Sequence, residues 1–136
     1  MRVFLDTNVL AAAFGTRGLC ADLVRYVLAE HQLVTGEVVL KELETVLRDR
    51  FKLPPSTTKD VVDLLRSQEV VAKPKAPASK PARDPDDGWI LASAIEGRCD
   101  VLVTGDHDLL DIASSAPVRI LSPRSFWEFV RKHSAR

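Results

Sequence analysis

The stretch "RVFLDTNVLAAAF", residues 2–14, changes its period at a single residue. Val3, Phe4 and Leu5 make an apolar run that stops at Asp6, and from Thr7 onward the pattern is helical, with no turn residues between the two. A strand that passes straight into a helix opens a β-α unit. The motif returns along the chain. "QLVT" at 32–35 closes on Gly36 and is followed by "EVVLKELETVLRDRF", whose Val39, Leu43, Val46 and Leu47 keep helical spacing. "DVLVTGD" at 100–106 reads as a buried strand, "HDLLDIA" as a short helix, "VRIL" at 118–121 as another strand, and "SPRSFWEFVRKH" as a closing amphipathic helix.

The remaining segments fit between these. "ADLVRYVLAEH" at 21–31 is helical, and "STTKDVVDLLRSQ" starts a helix after Pro54-Pro55 that forms a hairpin with the helix before it. "EVVA" at 69–72 reads as a short strand. "DPDDGWILASAIEG" at 84–97 carries Asp84 at an N-cap position, Pro85 at the first helical position and Gly97 near the stop. Strands alternate with helices throughout. Parallel neighbours need a crossover that is usually helical, so the alternation predicts an α/β fold with a mainly parallel sheet of about five strands covered on both faces.

A chain of 136 residues buries enough surface for one domain and not for two of ordinary size. "KPKAPASKPAR" at 73–83 is rich in Pro and Lys and poor in large apolar residues, which predicts a flexible loop inside that domain and not a boundary. No apolar run reaches membrane-spanning length and the N-terminus lacks the features of a signal peptide, so a soluble, cytoplasmic protein is expected. Cys20 and Cys99 stand far apart among apolar or small neighbours and are expected as buried free thiols. With 19 basic and 19 acidic residues the net charge is zero, which excludes a global field of the kind that grips nucleic acid without specificity. Local patches matter instead.

Acids gather where open parallel sheets bind ligands, beyond the carboxyl ends of the strands. Asp6 follows the first strand directly and Asp106 follows the strand at 101–103 after a short turn. Each also suits a helix N-cap. In "DPDD" three carboxylates open a helix, where the macrodipole favours negative charge. Asp84 fits the cap and Asp86 is angled toward Trp89 and Ser93. Asp87 shares a face with Ile90, Leu91 and Ala94 and is the favoured inward acid of the three. Glu42 lies among Val38, Val39 and Val46 at the border of an apolar stripe. Carboxylates that converge on one rim repel one another unless a cation neutralises them. An oxygen-only donor set favours Mg²⁺ or Mn²⁺ over Zn²⁺, and His107, with no second histidine at ligand spacing, reads as a surface residue.

"VFLDTNVL", "LKELETVL", "DPDDGWILASA" and "VLVTGDHDLL" resemble, in their order, the PIN-domain proteins, and among them the VapC-like toxin ribonucleases of bacterial toxin-antitoxin pairs. The resemblance runs from Arg2 to about Trp127. It implies a three-layer α/β/α sandwich and a divalent-metal-dependent endoribonuclease using Mg²⁺ or Mn²⁺. It places the family's catalytic acids on Asp6, Glu42, Asp87 and Asp106, with Asp6, Asp87 and Asp106 holding metal. Asn8 and Thr104 match polar positions that support the metal site or the substrate phosphate, and Asp108 matches a second acid. Many relatives carry a polar residue where Gly88 stands. The resemblance further implies an RNA substrate, single-stranded or looped, a cognate antitoxin as partner, and a homodimer. Apolar residues of the last helix, Phe126, Trp127, Phe129 and Val130, suit that dimer. Within the nuclease class an RNA-maturation or structure-specific enzyme is the alternative. Outside it stand a Mg²⁺-binding signalling module, whose acceptor-strand and lysine pattern "QLVT" and "VRIL" lack, and a non-catalytic interaction module.

Overall fold

The computed structural model describes residues 1–78 and 85–134. Five strands, β1 (Arg2–Leu5), β2 (Gln32–Gly36), β3 (Glu69–Val71), β4 (Val101–Val103) and β5 (Arg119–Leu121), pair in the order β3-β2-β1-β4-β5, every pair parallel. Seven helices flank the sheet. They are α1 (Thr7–Gly15), α2 (Leu19–Glu30), α3 (Glu37–Asp49), α4 (Pro55–Arg66), α5 (Pro85–Glu96), α6 (His107–Asp111) and α7 (Pro123–Ser134). The arrangement is the expected three-layer α/β/α sandwich.

Full coverage explains why the strands read as unbroken apolar runs. Val3, Phe4 and Leu5 of β1 and Leu102 and Val103 of β4 are wholly inaccessible, as both faces of a parallel sheet must be. Each such side chain contributes about 1.5–3 kcal/mol on burial. Val39, Leu40, Leu43 and Leu47 form the buried face of α3, and Leu23, Val24 and Val27 that of α2. Register then fixes the strand ends: Leu5 pairs with Val103, so the chain leaves β1 and β4 side by side. Strand order reverses between these two strands, which opens a crevice at their carboxyl ends.

The structure adds detail to the sequence reading in three places. Residues 73–78 of the Pro/Lys-rich loop pack against α5: Pro74 is buried, the Ala78 amide donates to the Gly88 carbonyl at 2.9 Å, and the Lys73 ammonium lies 4.7 Å from the centre of the Trp89 ring. Residues 79–83 of that loop, and the N-cap assigned to Asp84, lie outside the described residues. Cys20 and Cys99 are free but only half-buried, because each sits at the edge of the core. Of the apolar residues on α7, Phe126 and Val130 are buried in the core, leaving Trp127 and Phe129 partly accessible.

Candidate functional site

Local sequence makes the two strand-end acids do two jobs. Asp6 caps α1, its Oδ1 accepting from the Thr7 amide at 2.6 Å, and Asp106 caps α6, its Oδ1 accepting from the Asp108 amide at 2.8 Å. Both caps satisfy amides that a helix start would otherwise leave bare. The caps also aim the remaining carboxylate surface into the crevice. Asp6, Glu42, Asp87 and Asp106 all line one cavity of about 300 Å³, together with Thr7, Asn8, Asp86 and Arg50.

A polar bridge ties β1 to β4 beneath this cavity. The Asp6 amide donates to the Val103 carbonyl at 3.1 Å. The Thr104 hydroxyl, fully buried, donates to Asp6 Oδ2 at 2.7 Å and accepts from the Asp106 amide at 3.0 Å. Asn8 Nδ2 reaches Asp6 Oδ2 at 3.2 Å while its Oδ1 accepts from the Gly105 amide at 2.8 Å. Asp6, Asn8, Thr104 and Asp106 are therefore joined in one hydrogen-bonded group. Burial pushes the Asp6 carboxyl above its ordinary range, and repulsion from Asp106 adds to this. The hydrogen bonds from Thr104, Thr7 and Asn8 pull the other way without cancelling the shift.

The tightest acidic group is Asp87, Asp106 and Asp108, one carboxylate oxygen of each within 4.8 Å of the others. Asp87 is 4% exposed at the start of α5, whereas Asp86 is exposed. Burial thus separates Asp87 from Asp86 in the direction that helical spacing favoured. Asp108 enters this trio and Asp6 stands behind it in the hydrogen-bonded bridge. Glu42 is an exposed residue of α3 at the cavity's edge, and His107 is exposed.

Three close carboxylates, a buried one from the start of α5 and two half-buried ones from the start of α6, suit a small divalent cation, because a donor set of oxygens alone is the preference of Mg²⁺ and Mn²⁺. Thr7 adds an independent sign of fit. Its hydroxyl is buried in the wall of the same cavity and has no hydrogen-bond partner among the described residues. Sequence reasoning missed this hydroxyl. Nor does the sequence single out Arg50, the one basic side chain among the described lining residues. Only the fold could place it, since it lies past the end of α3.

Comparison with known proteins agrees with this geometry. A family model described as "PIN domain" matches residues 2–108. Among curated protein sequences none matches. Among solved structures, the chain is similar to VapBC-1 from nontypeable Haemophilus influenzae at 18% identity, TM-score 0.62, covering 91% of this chain and 99% of that one. It is similar to VapBC2 from Rickettsia felis, determined bound to a DNA fragment from its promoter, at 17% identity, TM-score 0.61 and coverages of 89% and 97%. The PIN domain endonuclease Utp24 matches at 19% identity, TM-score 0.50, with coverages of 89% and 84%. At these identities the solved structures show a shared fold, and the family model accounts for most of the chain. The chain belongs to the PIN-domain family.

Proposed function

We propose that this protein is a divalent-metal-dependent endoribonuclease acting as the toxin of a toxin-antitoxin pair. The observation that carries the reading is the convergence of Asp87, Asp106 and Asp108 within 4.8 Å, in a family of nuclease fold, beside a cavity that also holds Asp6, Glu42 and Arg50.

Mg²⁺ or Mn²⁺, when bound, supplies Lewis acidity toward a phosphodiester and activates an attacking water. Asp87 and Asp106 would hold the ion, with Asp108 or Asp6 completing the set. The bridge through Thr104 and Asn8 fixes Asp6 and Asp106 relative to one another, so no reorganisation is needed when charge develops. Glu42, at the accessible edge of the cavity, orients the attacking water and accepts its proton. Arg50 meets the phosphate and offsets the repulsion between an acidic cup and an anionic strand. A single strand fits this open crevice better than the edges of an A-form helix.

The antitoxin reading draws on the VapBC complexes among the similar structures. A homodimer is proposed through the accessible remainder of α7 with α2, where Leu19 is 45% exposed beside Trp127. Among the described residues no helix is long and apolar enough to cross a membrane. The likeness to the VapBC structures supports placing the activity in the cytoplasm. The test uses purified protein on a panel of transfer, ribosomal and messenger RNA. Cleavage with Mg²⁺ or Mn²⁺, abolished by EDTA and by Asp106→Asn, is the expected result. Cleavage that survives both overturns the mechanism, and inertness across the panel overturns the ribonuclease assignment.

A further inference from the structure

A second cavity, of about 570 Å³, lies between α3 and α5 and opens beside the acidic one: Glu42, Val46, Asp86 and Ile90 line both. Its walls are partly apolar, through Val38, Val46 and Ile90. Trp89, two positions beyond Asp87 on α5, presents its half-buried indole there, with Lys73 over the ring at 4.7 Å and Lys41 on the opposite helix. The acid at the far side, Glu37, is already engaged by the Arg66 guanidinium at 2.6 and 3.1 Å.

Gly88 is buried under the Ala78 amide, and a Cβ placed on it would stand 3.0 Å from Pro77 Cβ. A side chain at 88 would require Pro77 to give way by a few tenths of an ångström. We infer that this cavity seats the base of the nucleotide next to the scissile phosphate of a single-stranded RNA, stacked on Trp89 in the place where the Lys73 ammonium stands, with Lys73 displaced onto one flanking phosphate and Lys41 meeting the other; this rests on the ribonuclease reading above.

The chemistry follows from the pairing of the two cavities. A ligand spanning them needs an anionic centre for the acidic side, once cation is present, and a flat apolar group for the Trp89 side. A nucleotide carries both within one residue. Base stacking on an aromatic side chain tolerates any base, since every base has a π-face, and lysines beside the platform hold the backbone.

The sequence contains two tryptophans, so Trp127→Phe leaves Trp89 as the sole indole reporter. That protein, checked for an unchanged circular dichroism spectrum, is titrated with a single-stranded RNA octamer and with octamers in which one abasic ribose is moved along the chain. The octamer should quench Trp89 saturably, and the abasic ribose should weaken binding at one position by about 5- to 150-fold. In a parallel assay with labelled RNA, Trp89→Leu should weaken the intact octamer by a similar factor, and the two losses should not multiply. Trp89→Phe should restore most of the affinity, which a purely structural role for the indole would not require. Lys73→Gln should reduce the slope of log affinity against log salt by about 0.7. Losses that multiply, or an abasic effect indifferent to residue 89, overturn the base seat while leaving the nuclease reading intact. Quenching by an amphipathic peptide but not by RNA assigns the cavity to a protein partner and also overturns it. A protein that neither binds nor cleaves RNA overturns the nuclease reading, and the base seat with it.

Discussion

Replacing Thr104 with valine removes one oxygen and almost no volume, at a residue with no accessible surface. The hydroxyl donates to the Asp6 carboxylate at 2.7 Å and accepts from the Asp106 amide at 3.0 Å, so its loss strips a charge-assisted bond from one acid and leaves the amide of the other without its acceptor. A hydrogen bond to a charged group is worth about 1.5–3 kcal/mol and an orphaned amide costs about 1–3 kcal/mol. Thr104→Val should therefore cost about 3–5 kcal/mol, which for a chain of this size lowers the melting temperature by roughly 10–15 °C. Asp6, already shifted upward by burial, also loses a donor that stabilised its charged form, so its pKa rises further and divalent-ion binding at neutral pH weakens. Thr104→Ser keeps the hydroxyl and loses a methyl, at about 1 kcal/mol. Differential scanning calorimetry on the three proteins, with and without Mn²⁺, measures both effects. A valine variant that melts within about 2 °C of the wild type, or a serine variant that falls as far as valine, refutes the bridge as the device that ties the two strands.

Asp87→Asn and Asp106→Asn should each weaken Mn²⁺ binding by tenfold or more, an order-of-magnitude expectation for loss of a charged ligand, while Asp111→Asn, on the exposed side of α6, should not; isothermal titration calorimetry reads all three. Burial pushes the Cys99 thiol up to about 11, so its alkylation by iodoacetamide should keep rising about tenfold per pH unit from pH 8 to 10, with no plateau near the ordinary thiol range. Peptide mass spectrometry separates it from Cys20, and a plateau near pH 9 would contradict the burial. Gly88→Ala should speed exchange of the Ala78 amide hydrogen and lower the melting temperature by a few degrees, about 1 kcal/mol of strain; unchanged exchange would mean that the loop does not rest on residue 88.

What could be read in advance was whatever depends on near neighbours in the chain. Val3 to Leu5 and Val101 to Val103 are apolar at every position because both faces of those strands are covered, and that alone announces a parallel sheet. Asp6 and Asp106 were found because each follows a buried strand directly or after a short turn, where open parallel sheets bind ligands. Helical spacing chose Asp87 over Asp86, and burial agrees. The missed features depend on partners far along the chain. Pro74 and Gly88 look like loop and helix-start residues until the Ala78 amide reaches across. Phe126 and Val130 look like an exposed stripe until α7 docks against α2. No local pattern could place the Thr7 hydroxyl or Arg50 in one cavity, because each faces it from a different helix end.

The pairing of β1 with β4 has a consequence in time. Asp6 and Asp106 are joined through strands separated by about a hundred residues of chain, and at a synthesis rate of about 5–20 residues per second this gap lasts roughly 5–20 s. Through that interval the emerging chain carries Asp6, Glu42 and then Asp87 without the strand that brings them to a common centre. Such long-range parallel pairing is slow to form even once the residues exist. A chain stalled on the ribosome before Val101 thus holds most of the acids and none of the cup, and the site comes into being in one late step of folding.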